Sequence, residues 1–394
     1  MSILIDIQPL QYSSRDAGIG VHIRSLLRKL RRLQVDVPVT LLLNDHAGRT
    51  CHLKLHRSID WPRQVLRRSN RTDITPWQNE KFSYAQIFNS GEFSVYHANS
   101  IAEPDHVTIP VPSSGCKVVV TVHDLIPLIF RDHHPEYWTA EMLGYDYGKR
   151  LEDVQKADAV LTVSEHSKTD LIRYLGIPED KIHVTYGAVS TDFRPTEDRE
   201  KIERVRRQYQ LPNEYILYVG GYYGFRKNIA NLLKAYHHYV NMTPSTPLNL
   251  VLVGATSSRD FKKFHPLCEE LHLDRYVRLT EFVAEQDLPV VYSEARVFFY
   301  PSLYEGFGQT PLQAMASGTA VVTSDNSSLP EVTGSAAKII NPEDIEDMAQ
   351  GLLSMCMDED LQSRFVTLGL DRVRRFSWED TAAKTLNVYR SLMN

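Results

Sequence analysis

At 394 residues the chain is longer than a single hydrophobic core usually serves, so two domains of ordinary size are expected. Its 42% hydrophobic and 24% charged residues exclude a disordered or fibrous chain, and a net charge of −5 argues against a dedicated nucleic-acid binder. No apolar run approaches the roughly 18 residues that a membrane span needs. The cysteines Cys51, Cys116, Cys268 and Cys356 form no CxxC pair and no secretory signal stands at the N-terminus, so a reducing cytoplasmic setting is expected.

The first half alternates strands with helices. Ile3–Ile7 reads as a strand, and Val21–Leu33 then spaces Ile23, Leu26, Leu27, Leu30 and Leu33 at helical intervals with Arg24, Arg28, Lys29, Arg31 and Arg32 between them. Lys and Arg outnumber Asp and Glu more than two to one over residues 1–71. Two readings stand for this helix: a core helix with a solvated basic face, or one whose basic face meets an anionic membrane at the inner leaflet. Val37–Leu43, Lys117–Val122 and Ala159–Ser164 follow as strands, and their unbroken Val, Ile and Leu runs suit a parallel sheet covered on both faces. Residues 44–92 show no period and read as long loops with short helices. Ser164 is a good N-cap for a helix to Leu175, stopped by Gly176 and Pro178, and Ile182–Tyr186 is the next strand.

Gly187–Pro212 is a charged linker leading into an amphipathic helix. A second series then runs Tyr215–Val219, a helix over about Asn228–Val240, Leu248–Val253, Val277–Leu279, Val297–Tyr300 and Ala320–Thr323. The fold class is α/β, with two doubly wound domains in tandem whose loops beyond the carboxyl ends of the strands carry the chemistry.

Four such loops stand out. Gly18-Ile19-Gly20 lies directly before the basic helix, where glycines let backbone N–H groups approach an anion. His123-Asp124 ends the strand Lys117–Val122, and a histidine there can donate to a hydroxyl or oxyanion. Gly220-Gly221-Tyr222-Tyr223-Gly224-Phe225-Arg226-Lys227-Asn228 brings two cations to the positive end of a helix with no acidic residue in the loop, which calls for an anion such as a diphosphate. Pro301 to Gly318 holds Glu305 on a turn opened by Gly306 and Gly308, with Gln313 placed in the first turn of the helix behind it.

In this order, Gly18-Ile19-Gly20, His123-Asp124, Gly221 through Arg226-Lys227-Asn228, and Glu305-Gly306-Phe307-Gly308 through Val321-Val322-Thr323-Ser324 resemble the retaining GT-B glycosyltransferases of family four, the glycosyl transferases group 1. The likeness covers nearly the whole chain, and His123-Asp124-Leu125-Ile126-Pro127-Leu128 is similar to the bacterial mannosyltransferase-like branch. It implies two Rossmann-like domains facing across a cleft: residues 1–189 on the acceptor side, 190–376 holding the nucleotide sugar, and a last helix over about 377–394, starting at Ser377-Trp378, that returns to the first domain. It further implies that Arg226 and Lys227 bind the diphosphate, Glu305 the donor-sugar hydroxyls, and His123 the sugar from the other domain, these four being the catalytic set. Gly18, Gly20, Gly221, Gly306, Phe307, Gly308, Gln309, Thr310 and Gln313 would line the nucleotide sugar, and Glu281-Phe282-Val283 would meet the base through its backbone. One position departs from the pattern, since the family's E-x7-E spacing has its second Glu where Gln313 stands.

The reaction so implied moves a hexose from a nucleoside-diphosphate sugar to a glycan or lipid-linked acceptor with retention. It needs no protein nucleophile, no metal and no cofactor beyond the donor, because the leaving diphosphate itself guides same-face attack. GDP-mannose is the first donor to test, ahead of UDP-glucose and dTDP-rhamnose. A sugar-nucleotide epimerase on the same plan and a non-catalytic sugar-nucleotide-binding subunit are the rival readings.

Overall fold

The computed structural model describes residues 2–11, 18–33, 37–45, 52–56, 90–101, 115–132, 147–221, 225–254, 263–280 and 282–394. The chain divides into two compact units, Met1–Gly187 with Trp378–Asn394, and Ala188–Ser377. The sequence reading placed these junctions at 189/190 and 376/377.

The first unit is built on strands β1 (Ile3–Asp6), β2 (Val39–Asp45), β3 (His52–His56), β4 (Val95–Ala98), β5 (Lys117–Val122), β6 (Ala159–Thr162) and β7 (Ile182–Val184), in the order β3-β2-β1-β4-β5-β6-β7. All pairs are parallel except β2 with β3. Successive side chains of a strand point to opposite faces. Ile3 and Ile5 therefore join Ile23, Leu26, Leu27 and Leu30 of α1 (Gly18–Arg32) and Leu386 and Tyr389 of the C-terminal helix (Trp378–Met393), while Leu4 packs on the other face. That other face carries Leu151 and Val154 of α3 (Tyr147–Gln155) and Leu171 of α4 (Glu165–Leu175), a short α2 (Ile126–Ile129) preceding them in the chain. Helix α4 has the predicted ends: Ser164 accepts from the Ser167 amide, and Gly176 closes it in the left-handed region at φ 63°.

The second unit opens with α5 (Arg199–Tyr209), whose N-cap Asp198 accepts from the Lys201 amide. Its strands are β8 (Tyr215–Val219), β9 (Asn249–Val253), β10 (Val277–Thr280), β11 (Val297–Tyr300), β12 (Ala320–Ser324) and β13 (Lys338–Ile340). They pair in parallel in the order β10-β9-β8-β11-β12-β13. Interleaved in the chain are α6 (Ile229–Met242), α7 (His265–Glu270), α8 (Leu288–Ser293), α9 (Gln309–Ala316), α10 (Leu329–Thr333), α11 (Ile345–Met357) and α12 (Glu359–Val373). Both strand orders reverse direction at a neighbouring pair, β1 with β4 in the first unit and β8 with β11 in the second. In such sheets ligands bind beyond the carboxyl ends at these reversal points.

Three strands escape the sequence reading. β3 lies within the segment read as loops, most of which is outside the described residues; β4 is four residues long with His97 in it; and β13 is three residues long. β4 and β13 are too short to register a period, and β3 alternates strictly as His-Leu-Lys-Leu-His but sits within an otherwise aperiodic segment.

Candidate functional site

The loops after β8 and β11 meet because their strands are neighbours. The backbone is stitched between them: Leu303 donates its amide to the Arg226 carbonyl at 2.7 Å, and Asn228 Nδ2 donates to the carbonyls of Pro301 at 3.0 Å and Pro342 at 2.7 Å. Asn228 takes the left-handed region at φ 58°, so the tight helical turn Phe225–Lys227 ends abruptly before α6 and points Arg226 and Lys227 into the junction.

Glu305 is what they meet. Its Oε1 lies 2.7 Å from Arg226 Nη1, 2.7 Å from Lys227 Nζ, 2.8 Å from the Tyr300 hydroxyl and 2.7 Å from the Ser302 hydroxyl. Among the described residues no group hydrogen-bonds Oε2, so one oxygen is clamped and the other is left to accept from a ligand. Burial by itself would raise the Glu305 carboxyl. The charges of Arg226 and Lys227, with hydrogen bonds from Lys227 and Ser302, outweigh it and bring the carboxyl down to about 2. Burial holds the Tyr300 phenol well above its ordinary value, so it stays protonated, accepts from Lys227 at 2.5 Å and donates to Glu305.

The loop carrying Glu305 is braced from α10. The Ser328 hydroxyl lies 2.8 Å from the Glu305 carbonyl and 2.7 Å from that of Phe307, and Ser327 Oγ accepts the Glu305 amide at 3.1 Å. Gly308 sits at φ 112°, where a Cβ would also come 3.3 Å from Leu329 Cδ2, so only glycine turns the chain into α9 here. Phe307 is buried edge-on to Phe376 at 5.7 Å, and Gln309 donates to the Ala188 carbonyl at 2.9 Å. Gln313 lies in the second turn of α9, not the first, and its Oε1 accepts from the Tyr292 hydroxyl at 3.2 Å.

In the first unit, His123 follows β5. Its Nε2 is 3.3 Å from the Asn99 carbonyl, and a carbonyl can only accept, so Nε2 carries the proton. Burial lowers the ring to about 4, which leaves it neutral near pH 7 with its lone pair on Nδ1. The expected hydrogen-bond donor is thus an acceptor toward any ligand on its open side. Asp124 does not partner it; its Oδ1 accepts the Ile126 amide at 3.0 Å and starts α2.

Residues 201–369 match the family described as glycosyl transferases group 1, and residues 17–193 match glycosyltransferase family 4. The O-antigen chain mannosyltransferase B of Escherichia coli is 34% identical over 277 residues, covering 70% of this chain and 71% of the relative. The chain belongs to glycosyltransferase family 4. The serotype-specific mannosyltransferase WbdA of Escherichia coli is 30% identical over 73% of this chain, which spans only 35% of that relative's length. HepE of Anabaena, solved in complex with UDP and glucose, superposes with a TM-score of 0.69 over 99% of this chain and 100% of its own at 17% identity, a likeness of GT-B fold.

In this glycosyltransferase the structure joins Arg226, Lys227 and Glu305 directly, and Gly306, Phe307, Gly308, Gln309, Thr310 and Gln313 continue from them into α9. Two readings need correction. The two cations are not without an anion of the chain's own, because Glu305 lies against both; the loop's lack of acidic residues hid a partner 78 positions away. Gly18 and Gly20 form the first turn of α1 rather than a loop before it. Gly221 is described, its carbonyl accepting from the Tyr218 hydroxyl at 3.1 Å, whereas residues 222–224 and Glu281 lie outside the described residues. Phe282 is exposed while Val283 is buried in the core. Tyr300, Ser302, Ser327, Ser328 and Tyr292 were missed as supports, since nothing local marks a hydroxyl that serves a distant carboxylate. Among the described residues no three His, Cys, Asp or Glu side chains form a metal-binding group, and no helix is long and apolar enough to cross a membrane.

Proposed function

We propose that this glycosyltransferase moves a hexose, with mannose the first candidate, from a nucleoside-diphosphate sugar to a glycan or lipid-linked acceptor with retention and without a metal ion. The observation that carries the reading is the single clamped oxygen of Glu305 beside Arg226 and Lys227. Arg226 and Lys227 bring fixed positive charge to the spot where the leaving diphosphate would gain negative charge, and fixed charges of this kind need no reorganisation during the reaction. Glu305 Oε2 accepts from a donor-sugar hydroxyl, which orients the sugar and draws the ion pair toward the substrate. His123, through its unprotonated Nδ1, accepts from a hydroxyl of the reacting sugars. The relatives named as mannosyltransferases support mannose as the sugar, and GDP-mannose is the first donor to test, with UDP-glucose and dTDP-rhamnose as alternatives.

The test is a thermal-shift screen of GDP, UDP and dTDP, followed by transfer assays with the matching sugar nucleotides. A ligand that binds only the folded state raises the melting temperature. One diphosphate should stand out, and its mannose or other hexose derivative should give a product whose anomeric configuration matches the donor. A melting temperature unmoved by all three, or an inverted product, would count against the reading.

A further inference from the structure

We propose that His22 is a positioning residue for His123, its ring held in turn by Trp378 at the start of the C-terminal helix. The proposal rests on the reading of His123 as a group that meets the reacting sugars. The His123 ring has one hydrogen bond among the described residues, to the Asn99 carbonyl, and a single bond at 3.3 Å chooses the tautomer without fixing the tilt of the ring. The tilt is set by packing. The His22 ring stands edge-on to His123 with centroids 5.0 Å apart and planes at 86°, and edge-on to Trp378 at 5.2 Å and 79°. Both lie within the about 4.5–7 Å range of favourable edge-to-face pairs.

His22 is 5% exposed, and among the described residues neither of its ring nitrogens hydrogen-bonds a protein group. What it offers His123 is therefore its ring. That ring stands on rigid supports from distant parts of the chain. Lys29, two turns along α1, pairs with Glu379, the neighbour of Trp378. Thr381 donates to the Tyr186 carbonyl at 2.5 Å. Further along the same helix the Tyr389 hydroxyl lies 2.5 Å from His97 Nδ1, whose Nε2 is 2.7 Å from Thr121 Oγ1, two residues before His123 on β5. The C-terminal helix thus belongs to the surroundings of His123 although almost the whole chain separates them.

The experiment compares His22→Ala, His22→Phe and His123→Ala in the full-length protein, measuring kcat with the preferred sugar nucleotide and the dissociation constant of that donor. His22→Ala should lower kcat about tenfold through misplacement of His123 while donor affinity stays near wild type. His22→Phe keeps a ring in place and should restore most of the rate. The acid limb of the kcat profile should move to higher pH in His22→Ala, because water enters beside His123; among the described residues His22 and His97 are electrostatically coupled to that ring, and Asp124 adjoins it in the chain. Where His22→Ala does not fold, Trp378→Leu should show the same loss in kcat with donor affinity kept. Equal damage in His22→Ala and His22→Phe would mean that a nitrogen acts directly, and wild-type kcat in His22→Ala beside a damaged His123→Ala would equally overturn the proposal. Wild-type kcat in His123→Ala would remove the reading of His123 itself.

Discussion

Glu305 is the residue on which two opposite demands converge: a carboxylate taken out of water, and two cations whose reach into the same spot is tolerable only because it is there. Removing either cation should cut turnover by about 10², the scale of losing one preorganised charge donor; steady-state rates for Arg226→Ala and Lys227→Ala check this, and wild-type rates in both would contradict it. Because the Glu305 carboxyl is depressed to about 2 from an ordinary 4.5, its stabilisation is complete above pH 4.5 and is lost as the pH falls toward 2. The site therefore keeps its charge throughout the physiological range. At Gln313, Tyr292 already donates to the amide oxygen, and among the described residues no acceptor engages the amide nitrogen. A carboxylate would keep the Tyr292 bond and accept more strongly elsewhere. Gln313→Glu should tighten the nucleoside diphosphate by about 1 kcal/mol, roughly fivefold, after allowing for repulsion by the phosphates. Weaker binding by calorimetry would mean that the ribose contact is built around the amide N–H.

At the scale of elements, the loop after β11 is held less by its own sequence than by the start of α10. Ser328→Ala removes the hydroxyl shared by the Glu305 and Phe307 carbonyls and should cost about 1–3 kcal/mol of stability, with the donor KM rising. Unchanged KM in a destabilised variant would separate the brace from the site. Helix α1 is a core helix, with Leu26, Leu27 and Leu30 in the core, Arg24 buried and Lys29 paired with Glu379. If the basic residues of this helix meet anionic lipid, each that reaches the surface contributes about 1 kcal/mol. Sedimentation with anionic vesicles should then show binding at low salt that high salt releases, and no binding at low salt would leave a core helix alone. The elements legible in the sequence were those with a cap or an unbroken apolar run, such as Ser164 before α4 or Val297–Tyr300. What stayed hidden depended on partners far along the chain. The cations were visible at 226 and 227, and Glu305 was visible, but that they share one oxygen follows only from β8 lying beside β11.

Across the molecule, the first unit concentrates groups that resist charge. Burial lowers His22 well below its ordinary value, His97 to about 3 and His123 to about 4, and raises Asp6 to about 6. The three histidines are neutral when folded and bind protons on unfolding below pH 6.5, so their stabilisation is present above 6.5 and is lost as the pH falls toward 4 and 3. Asp6 acts in the opposite sense, releasing a proton on unfolding between pH 6 and 3.8. With three histidines against one aspartate the balance is a net uptake of protons on unfolding between pH 6.5 and 5, so stability falls as the pH is lowered through that range. Thermal unfolding of the full-length protein should show the first unit melting earlier at pH 5.5 than at pH 7, and a melting temperature independent of pH over that range would contradict the burial of these rings. The central claim, that Arg226, Lys227 and Glu305 form a diphosphate-binding centre for a sugar nucleotide, is tested most directly by calorimetric titration. The best-binding nucleoside diphosphate and its monophosphate are titrated into wild type and Lys227→Ala. The diphosphate should bind wild type at least about tenfold more tightly than the monophosphate, by charge-assisted bonds to its second phosphate, and that preference should collapse in the variant. Equal affinity for the two nucleotides in wild type, or an undiminished preference in Lys227→Ala, would contradict it.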